Sequence, residues 1–511
     1  MKKLISIFLL VAMLISVIPC VALSVAAEGE TTAITPDTSW WDNKTEGQTT
    51  FEISTAEQLL GFAKIMSEKS RPFYGSTVKL TADIDLNPGW DAYNFTEAPA
   101  NVWPQVEQDN CLIFDGQGHI VRGVYQVSDT AQKSGIFGRT WSRATEIKNV
   151  RFENCYSESS NPEGHGFLYG AITNGTAVTI ENVYVNARIV NTGVGNKVDG
   201  VGGLIGTVTY NASTTLTMTN TVFAGSIEVE PTDTTTFMVL GGLVGLTNIL
   251  SVEFDNCASY ATFVNNDTSK TPTMVVGGFI GIQWNTTATP VPATVQNCVS
   301  DCTLTNISKN AFGSIIGGGR INNSDYSYVN GTGNVATSER AIGCCWNNST
   351  KVADTEGTNY NAVCNGSNIT VTKDADISDN FATVLHGYQA KDAADNKFDF
   401  RLVATVDIPE NVTVDKVGFI ITATYGDTRL TKNYSTNTVY NSVTGNTDTG
   451  LKEYTAEALG GDYIFALAIT GAPTNKGDIT LEVTTYYVSG TTTVYGAPEV
   501  FTVTAPQDAL N

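Results

Sequence analysis

The reactive inventory of this chain is small. Only three histidines occur, His119, His165 and His386, and none stands in the HExxH pattern of a zinc peptidase. Eight cysteines follow residue 27 (Cys111, Cys155, Cys257, Cys298, Cys302, Cys344, Cys345 and Cys364), with no CxxC pair among them, so the ligand spacing of a zinc site is missing. An even number of cysteines outside the cell permits disulfides. Yet Cys257 and Cys298 each directly follow a repeated asparagine, and Cys155 lies six residues after another. Buried cysteine behaves as a small hydrophobe, so this spacing predicts a file of thiols inside a stack. Asp115 and His119 flank Gly116-Gln117-Gly118, and a turn aspartate beside an exposed histidine accounts for them without catalysis. No GxSxG or P-loop pattern occurs. Acid–base work on a polysaccharide needs carboxylates gathered on one face. The positions that precede the repeated asparagine read Lys148, Glu181, Thr219, Asp255 and Gln296, the mixture of a solvated face. No catalytic residue, metal site or cofactor is expected.

Aromatic spacing is more informative. Trp141, Trp284 and Trp346 each fall three residues after a glycine that closes a short apolar motif: Gly138, Gly281 and Gly343. If the motifs mark successive coils of a stack, equal offset means equal azimuth. The three rings then share one face, and exposed tryptophan suits contact with sugars or protein partners.

The elements that would position them repeat. GIFG (135–138), GFLYG (166–170), GGLIG (202–206), GGLVG (241–245), GGFIG (277–281) and GSIIG (313–317) close at glycines spaced 32, 36, 39, 36 and 36 residues apart. Asn149, Asn182, Asn220, Asn256 and Asn297 keep the same beat, inside IKNVRF, IENVYV, MTNTVF, FDNCAS and VQNCVS. Two independent letters on one period predict a solenoid of stacked coils, each strand pairing with its copies roughly 4.8 Å above and below. Stacked asparagines would form an amide ladder, a structural role. A degenerate seventh coil follows, with GNVA at 333–336 and AIG at 341–343.

Ahead of the first coil, FEISTAEQLLGFAKIM reads as an amphipathic helix opened by a capping box of Ser54 and Glu57, placed to cover the open end of the stack. TVKLTADIDL alternates as a strand, and CLIFDGQGHIVRGVY reads as two strands joined by a glycine turn. After Tyr388 the grammar changes to six or seven alternating strands parted by turns, the pattern of an antiparallel immunoglobulin-like β-sandwich.

The two ends set the compartment. Lys2 and Lys3 precede an apolar run from Leu4 to Val17 and small residues up to Ala27, with Val25 and Ala27 placed for signal-peptidase cleavage. A retained membrane helix is the rival reading, and a lipoprotein anchor at Cys20 is disfavoured by Pro19 before it. No other stretch is apolar enough to span a bilayer, so no membrane association is expected after cleavage. Loss of residues 1–27 removes two lysines and no acid, taking the net charge from −22 to −24. That balance argues against nucleic acid or an anionic membrane as partner. The expected organisation is a signal peptide at 1–27, a polar linker at 28–48, a β-helix of six to seven coils at 49–349, an end-cap or linker at 350–385 and a β-sandwich at 386–505.

The opening FEISTAEQLLGFAKI…GSTVKLTADIDL…FDGQGHIVRGVY, followed by GGLIG, GGLVG and GGFIG, resembles the GLUG-repeat β-helix region of bacterial surface proteins, over roughly residues 50–345. The resemblance implies a right-handed parallel β-helix displayed outside the cell, in proteins of adhesive or unsettled role. Some relatives carry an immunoglobulin-A-type zinc peptidase domain, and the missing HExxH removes that inference here. GYQAK…FDFRLVATVD…DKVGFIITA…GGDYIFALAIT is similar to a β-sandwich module of secreted Gram-positive proteins. The expected function is therefore that of an exported, non-enzymatic repeat protein for adhesion, scaffolding, or contact with glycans or with host or microbial surface proteins. The alternative is a polysaccharide-degrading β-helix enzyme, a lyase or glycoside hydrolase.

Overall fold

The computed structural model describes residues 33–510 apart from interruptions, the longest being 352–367, 374–382 and 444–453. Residues 1–27, read above as an export signal, lie outside the described residues, as do the side chains of Cys344, Cys345 and Cys364. The chain is a parallel β-solenoid of about six turns followed by antiparallel sheets that fit a β-sandwich.

One coil gives the plan of the rest. The strand Phe237–Gly241 runs to a glycine corner, Val244–Asp255 follows, Asn256 turns the chain, and Ala258–Ser259 and Thr262–Asn265 complete the circuit. Each strand pairs in parallel with its copy in the next coil: Phe237 with Thr273, Val244 with Ile280, Ala258 with Val299 and Thr262 with Thr303. The apolar letters between the glycines face inward. Leu204, Leu243, Phe279 and Ile315 are wholly buried and stacked, joined by amide-to-carbonyl bonds of 3.0 Å from each to the next. Burial of each such side chain contributes about 1.5–3 kcal/mol, and this repeated file is the core.

The closing glycines are dictated by space. A Cβ on Gly281 would come closer than 3.0 Å to backbone atoms of Gly245 and Leu240, and one on Gly317 would meet Gly281 and Val276 in the same way. Backbone passes backbone there with no room for a methyl group.

At the N-terminal end the helix Ala56–Glu68 buries Leu59, Leu60, Phe62, Ala63, Ile65 and Met66 over the first coil. The expected cap of Ser54 with Glu57 is shifted by one residue. Thr55 is the N-cap and accepts from Gln58 N at 3.3 Å, while Gln58 Oε1 reaches back to Ser54 N at 2.9 Å. Thr55 has the extended backbone an N-cap requires, and Gln58 supplies the reciprocal acceptor. The stretch read as a linker also enters the cap. Ser39–Asp42 is a short helix, Trp41 is buried, and Trp40 and Trp41 pack on Phe51 and Phe73 at centroid distances of 4.6–6.0 Å. Two large rings in a polar segment outweigh its composition, because burying them is worth more than the ordering costs.

The strands Ile113–Asp115 and Ile120–Arg122 flank the expected glycine turn, where Gln117 (φ 53°) and Gly118 (φ 83°) form a corner, and they pair in parallel with neighbouring coils. The solenoid also passes residue 349, since Asn368–Lys373 pairs in parallel with Val329–Ala336.

In the C-terminal region one sheet has the order Tyr463–Pro473, Lys397–Val406, Thr383–Ala393, Asp508–Leu510, and the other Thr428–Thr436, Lys416–Tyr425, Ile479–Ser489, Thr492–Val503. Alternate residues of each sheet, among them Leu402, Ala404 and Phe465 from the first and Val417, Phe419 and Val483 from the second, close a common core. Among the described residues, no helix is long and apolar enough to cross a membrane.

Candidate binding surface

The repeated asparagines occupy one corner of the coil, each in the left-handed backbone region: Asn149 φ 53°, Asn182 54°, Asn220 49°, Asn256 52° and Asn297 54°. Asparagine tolerates this conformation better than other residues with a side chain, and its short amide can bond a neighbour. The amides bond from coil to coil: Asn182 Nδ2 donates to Asn149 Oδ1 at 3.0 Å, Asn220 to Asn182 at 3.0 Å and Asn256 to Asn220 at 2.7 Å. Asp115 heads the row, accepting from Asn149 Nδ2 at 3.1 Å. Asn297 leaves it and donates to Asp255 Oδ1 at 2.9 Å, because a carboxylate is a stronger acceptor than an amide oxygen. Fully engaged amides have no proton to trade, so this corner holds shape.

Immediately after the turn the chain points inward, and there the thiols sit. Cys155, Cys257 and Cys298 are buried free thiols, and each Sγ lies against the carbonyl two residues back, on Glu153 at 3.2 Å, Asp255 at 3.5 Å and Gln296 at 3.0 Å. Cys257 N also donates to Cys298 Sγ at 3.3 Å. Burial raises the Cys155 and Cys298 thiols well above their ordinary range and pushes Cys302 up to about 11. Cys155, Cys298 and Cys302 are therefore not held as reactive thiolates. Cys155 follows Asn154, itself at φ 51°, so three of the chain's four Asn-Cys pairs mark left-handed corners, Asn110-Cys111 being the exception.

His119 and His165 are likewise occupied. His119 Nδ1 lies 3.1 Å from Asp83 Oδ1, remote from any role with Asp115. His165 is completely buried, with Nε2 2.9 Å from Ser157 Oγ and Nδ1 3.5 Å from Asn191 Nδ2, and burial pulls its pKa down to about 3. His386 has no described side-chain environment.

The most concentrated set of charges was not legible in the repeat. Asp85, Arg122 and Glu153 stand in register on three successive coils. Arg122 Nε donates to Glu153 Oε2 at 3.0 Å, and Arg151 holds Oε1. The Arg151 guanidinium lies 3.5 Å from the Tyr184 ring centroid and 5.4 Å from that of Tyr495, and its Nη2 is 3.4 Å from Thr484 Oγ1. Tyr495 and Thr484 belong to the sandwich, so this arginine touches both regions, beside the packing of Tyr495 on Tyr184 at 5.6 Å between ring centroids. Burial pushes the Asp85 carboxyl above its ordinary value, against the Asn87 hydrogen bond and Arg122, which lower it. Asp85 and Glu153 are two coils apart, but Glu153 is 5% exposed with both oxygens on guanidinium groups. Among the described residues, no three His, Cys, Asp or Glu side chains are grouped as a metal site.

Backbone register places the tryptophans in two runs. Trp141 pairs with Thr173, Thr173 with Thr209, and Thr209 with Asn248. Trp284 pairs with Arg320 and Arg320 with Trp346, in the strands that continue the same side of the coil. Trp284 stands one position beyond the pair Thr247–Gln283, level with Asn248. Trp141 is 40% exposed. The side chains of Trp284 and Trp346 lie outside the described residues. No family model, curated protein or solved structure matches the chain.

Proposed function

We propose that this chain is an exported, non-enzymatic repeat protein of the GLUG-type surface class, whose solenoid presents a rigid flank for contact with glycans, and with surface proteins that carry them. The observation behind this reading is the register of the tryptophan file. Trp284 and Trp346 stand two coils apart, roughly 10 Å at strand spacing, with Arg320 between them. That separation matches a few sugar units, and tryptophan faces give amphipathic contact area at little entropic cost. A fixed stack makes such a row effective, because its positions are ordered before the ligand arrives. The N-terminal signal pattern and the net charge of −22 suit a protein that stays soluble outside the cell.

A glycan array probed with the mature protein tests this. Binding should weaken in Trp284→Ala and in Trp346→Ala. Unchanged binding by both variants would remove the tryptophan file from the reading. Release of reducing sugar from any arrayed polysaccharide would replace it with the enzymatic alternative.

A further inference from the structure

The chain has ten arginines, and three of them, Arg71, Arg139 and Arg143, are linked through Asp109 and Tyr74 near the N-terminal end of the solenoid, where Trp141 is exposed. Arg139 Nε donates to Asp109 Oδ1 at 2.8 Å and Arg71 Nη2 to Asp109 Oδ2 at 3.3 Å, so one carboxylate is shared by two guanidinium groups. Arg143 is exposed, and its Cζ lies 4.9 Å from the centroid of Tyr74, a ring 55% exposed. Arg139 and Trp141 are alternate residues of the strand Arg139–Trp141 and face the same way, with Thr140 buried between them. The group itself holds three guanidinium cations and one carboxylate on an otherwise acidic protein.

The backbone is bent to hold this group. Arg71 has φ 53°, a conformation that ordinary side chains avoid, and its amide is fixed on Asp109 O at 3.0 Å. Tyr74 N in turn donates to Arg71 O at 3.2 Å, which ties the ring to the same turn. Strained residues kept in place by their neighbours collect at sites of function. A packing role alone would not require two half-exposed guanidinium groups and two exposed rings.

We propose that Arg71, Tyr74, Arg139, Trp141 and Arg143 form a subsite for a carboxylate-bearing sugar of an anionic glycan. This rests on the glycan-contact reading and adds the ligand class. The two chemistries needed stand side by side: ring faces for the C–H face of a pyranose, and planar guanidinium forks for its carboxylate. Attraction between these guanidinium groups and a carboxylate is screened by salt, so binding at the subsite falls as ionic strength rises.

The test uses the full mature chain with hyaluronate and polygalacturonate, each beside its carboxyl-reduced form. Carboxyl reduction should weaken binding about tenfold or more, and Arg143→Ala or Trp141→Ala should do the same for the native polymers. Arg143→Lys should keep part of the affinity. Arg143 is exposed and leaves the Asp109 pair intact, so a circular dichroism melt should show its variants folded; Arg143→Glu is the second variant, with a larger loss. Equal binding of native and reduced polymers, or no effect of Arg143→Ala and Arg143→Glu, overturns the anionic subsite while glycan contact stands. Loss of binding in Trp284→Ala with none in Trp141→Ala also overturns it, by moving the site to the other end. Binding to no glycan of either form removes both readings.

Discussion

The ladder corner and the tryptophan flank belong to the same coils and share one spacing, yet they treat repetition in opposite ways. At the corner the residue is copied: Asn149, Asn182, Asn220 and Asn256, joined amide to amide. On the flank no residue is held throughout: the row runs from Trp141 to Thr173, Thr209 and Asn248. Copying is enforced where backbone conformation and the copy one coil away depend on the same side chain. A corner asparagine satisfies a left-handed backbone and bonds its neighbours at once, so no other residue does both. On the flank the Trp141 side chain meets solvent and the backbone is an ordinary strand. Stacking there sets position and leaves identity free for recognition.

Substitutions can break or sharpen this contrast. The largest effect should come from the glycine corner, where every neighbour of a new Cβ is backbone and cannot give way. Gly281→Ala should cost about 4 kcal/mol in urea unfolding; a loss under about 1 kcal/mol would mean the corner is loose. Next comes an uncopied position with a singular task. Arg151→Ala leaves Glu153 buried with one partner fewer and unpins Tyr495. It should cost about 3 kcal/mol and raise the radius of gyration as the sandwich leaves the solenoid. Unchanged scattering would assign the docking to other contacts.

The ladder itself should be of middle rank. Asn220→Ala loses two amide bonds and places alanine at φ 49°, about 2 kcal/mol together, whereas Asn220→Gly keeps the conformation and should cost about 1 kcal/mol. Equal losses would show that the amides, and not the turn, make asparagine necessary. The last effect is graded by pH. His165 titrates near 6.5 when unfolded and at about 3 when folded, because burial disfavours its cation. Above pH 6.5 it contributes nothing to the pH dependence. As pH falls from 6.5 towards 3 the unfolded chain binds a proton that the folded chain does not, and stability drops by about 1.4 kcal/mol per unit. His165→Gln should flatten that slope, and a persisting slope would place the acid sensitivity in carboxylates instead.

Much of the solenoid was legible because each motif states its own period. Leu243 is buried for the reason that Phe279 is, and a reader of either learns both. The Asn-Cys pairs were visible for the same reason. The sandwich was legible as alternating strands, but its order was not, since Lys397–Val406 lies between strands far apart in the chain. Trp40 and Trp41 misled because local composition was polar while their partners, Phe51 and Phe73, came from elsewhere. The Asp85–Arg122–Glu153 row and the Arg71–Asp109–Arg139 cluster carry no periodic letter, so nothing announced them.

The sequence alone determined that like coils would stack, which residues would fill them and where the glycine and asparagine corners would fall. Those properties depend on local conformation and on a copy at a fixed distance, both written in the letters. Only the tertiary structure decided that Asp115 heads the amide row, that Asn297 leaves it and that Arg151 is closed between two rings from different regions. It alone brought three arginines to one end of an acidic molecule. Such contacts join residues with no common period, and their energies arise from burial and charge that exist only after the chain has folded.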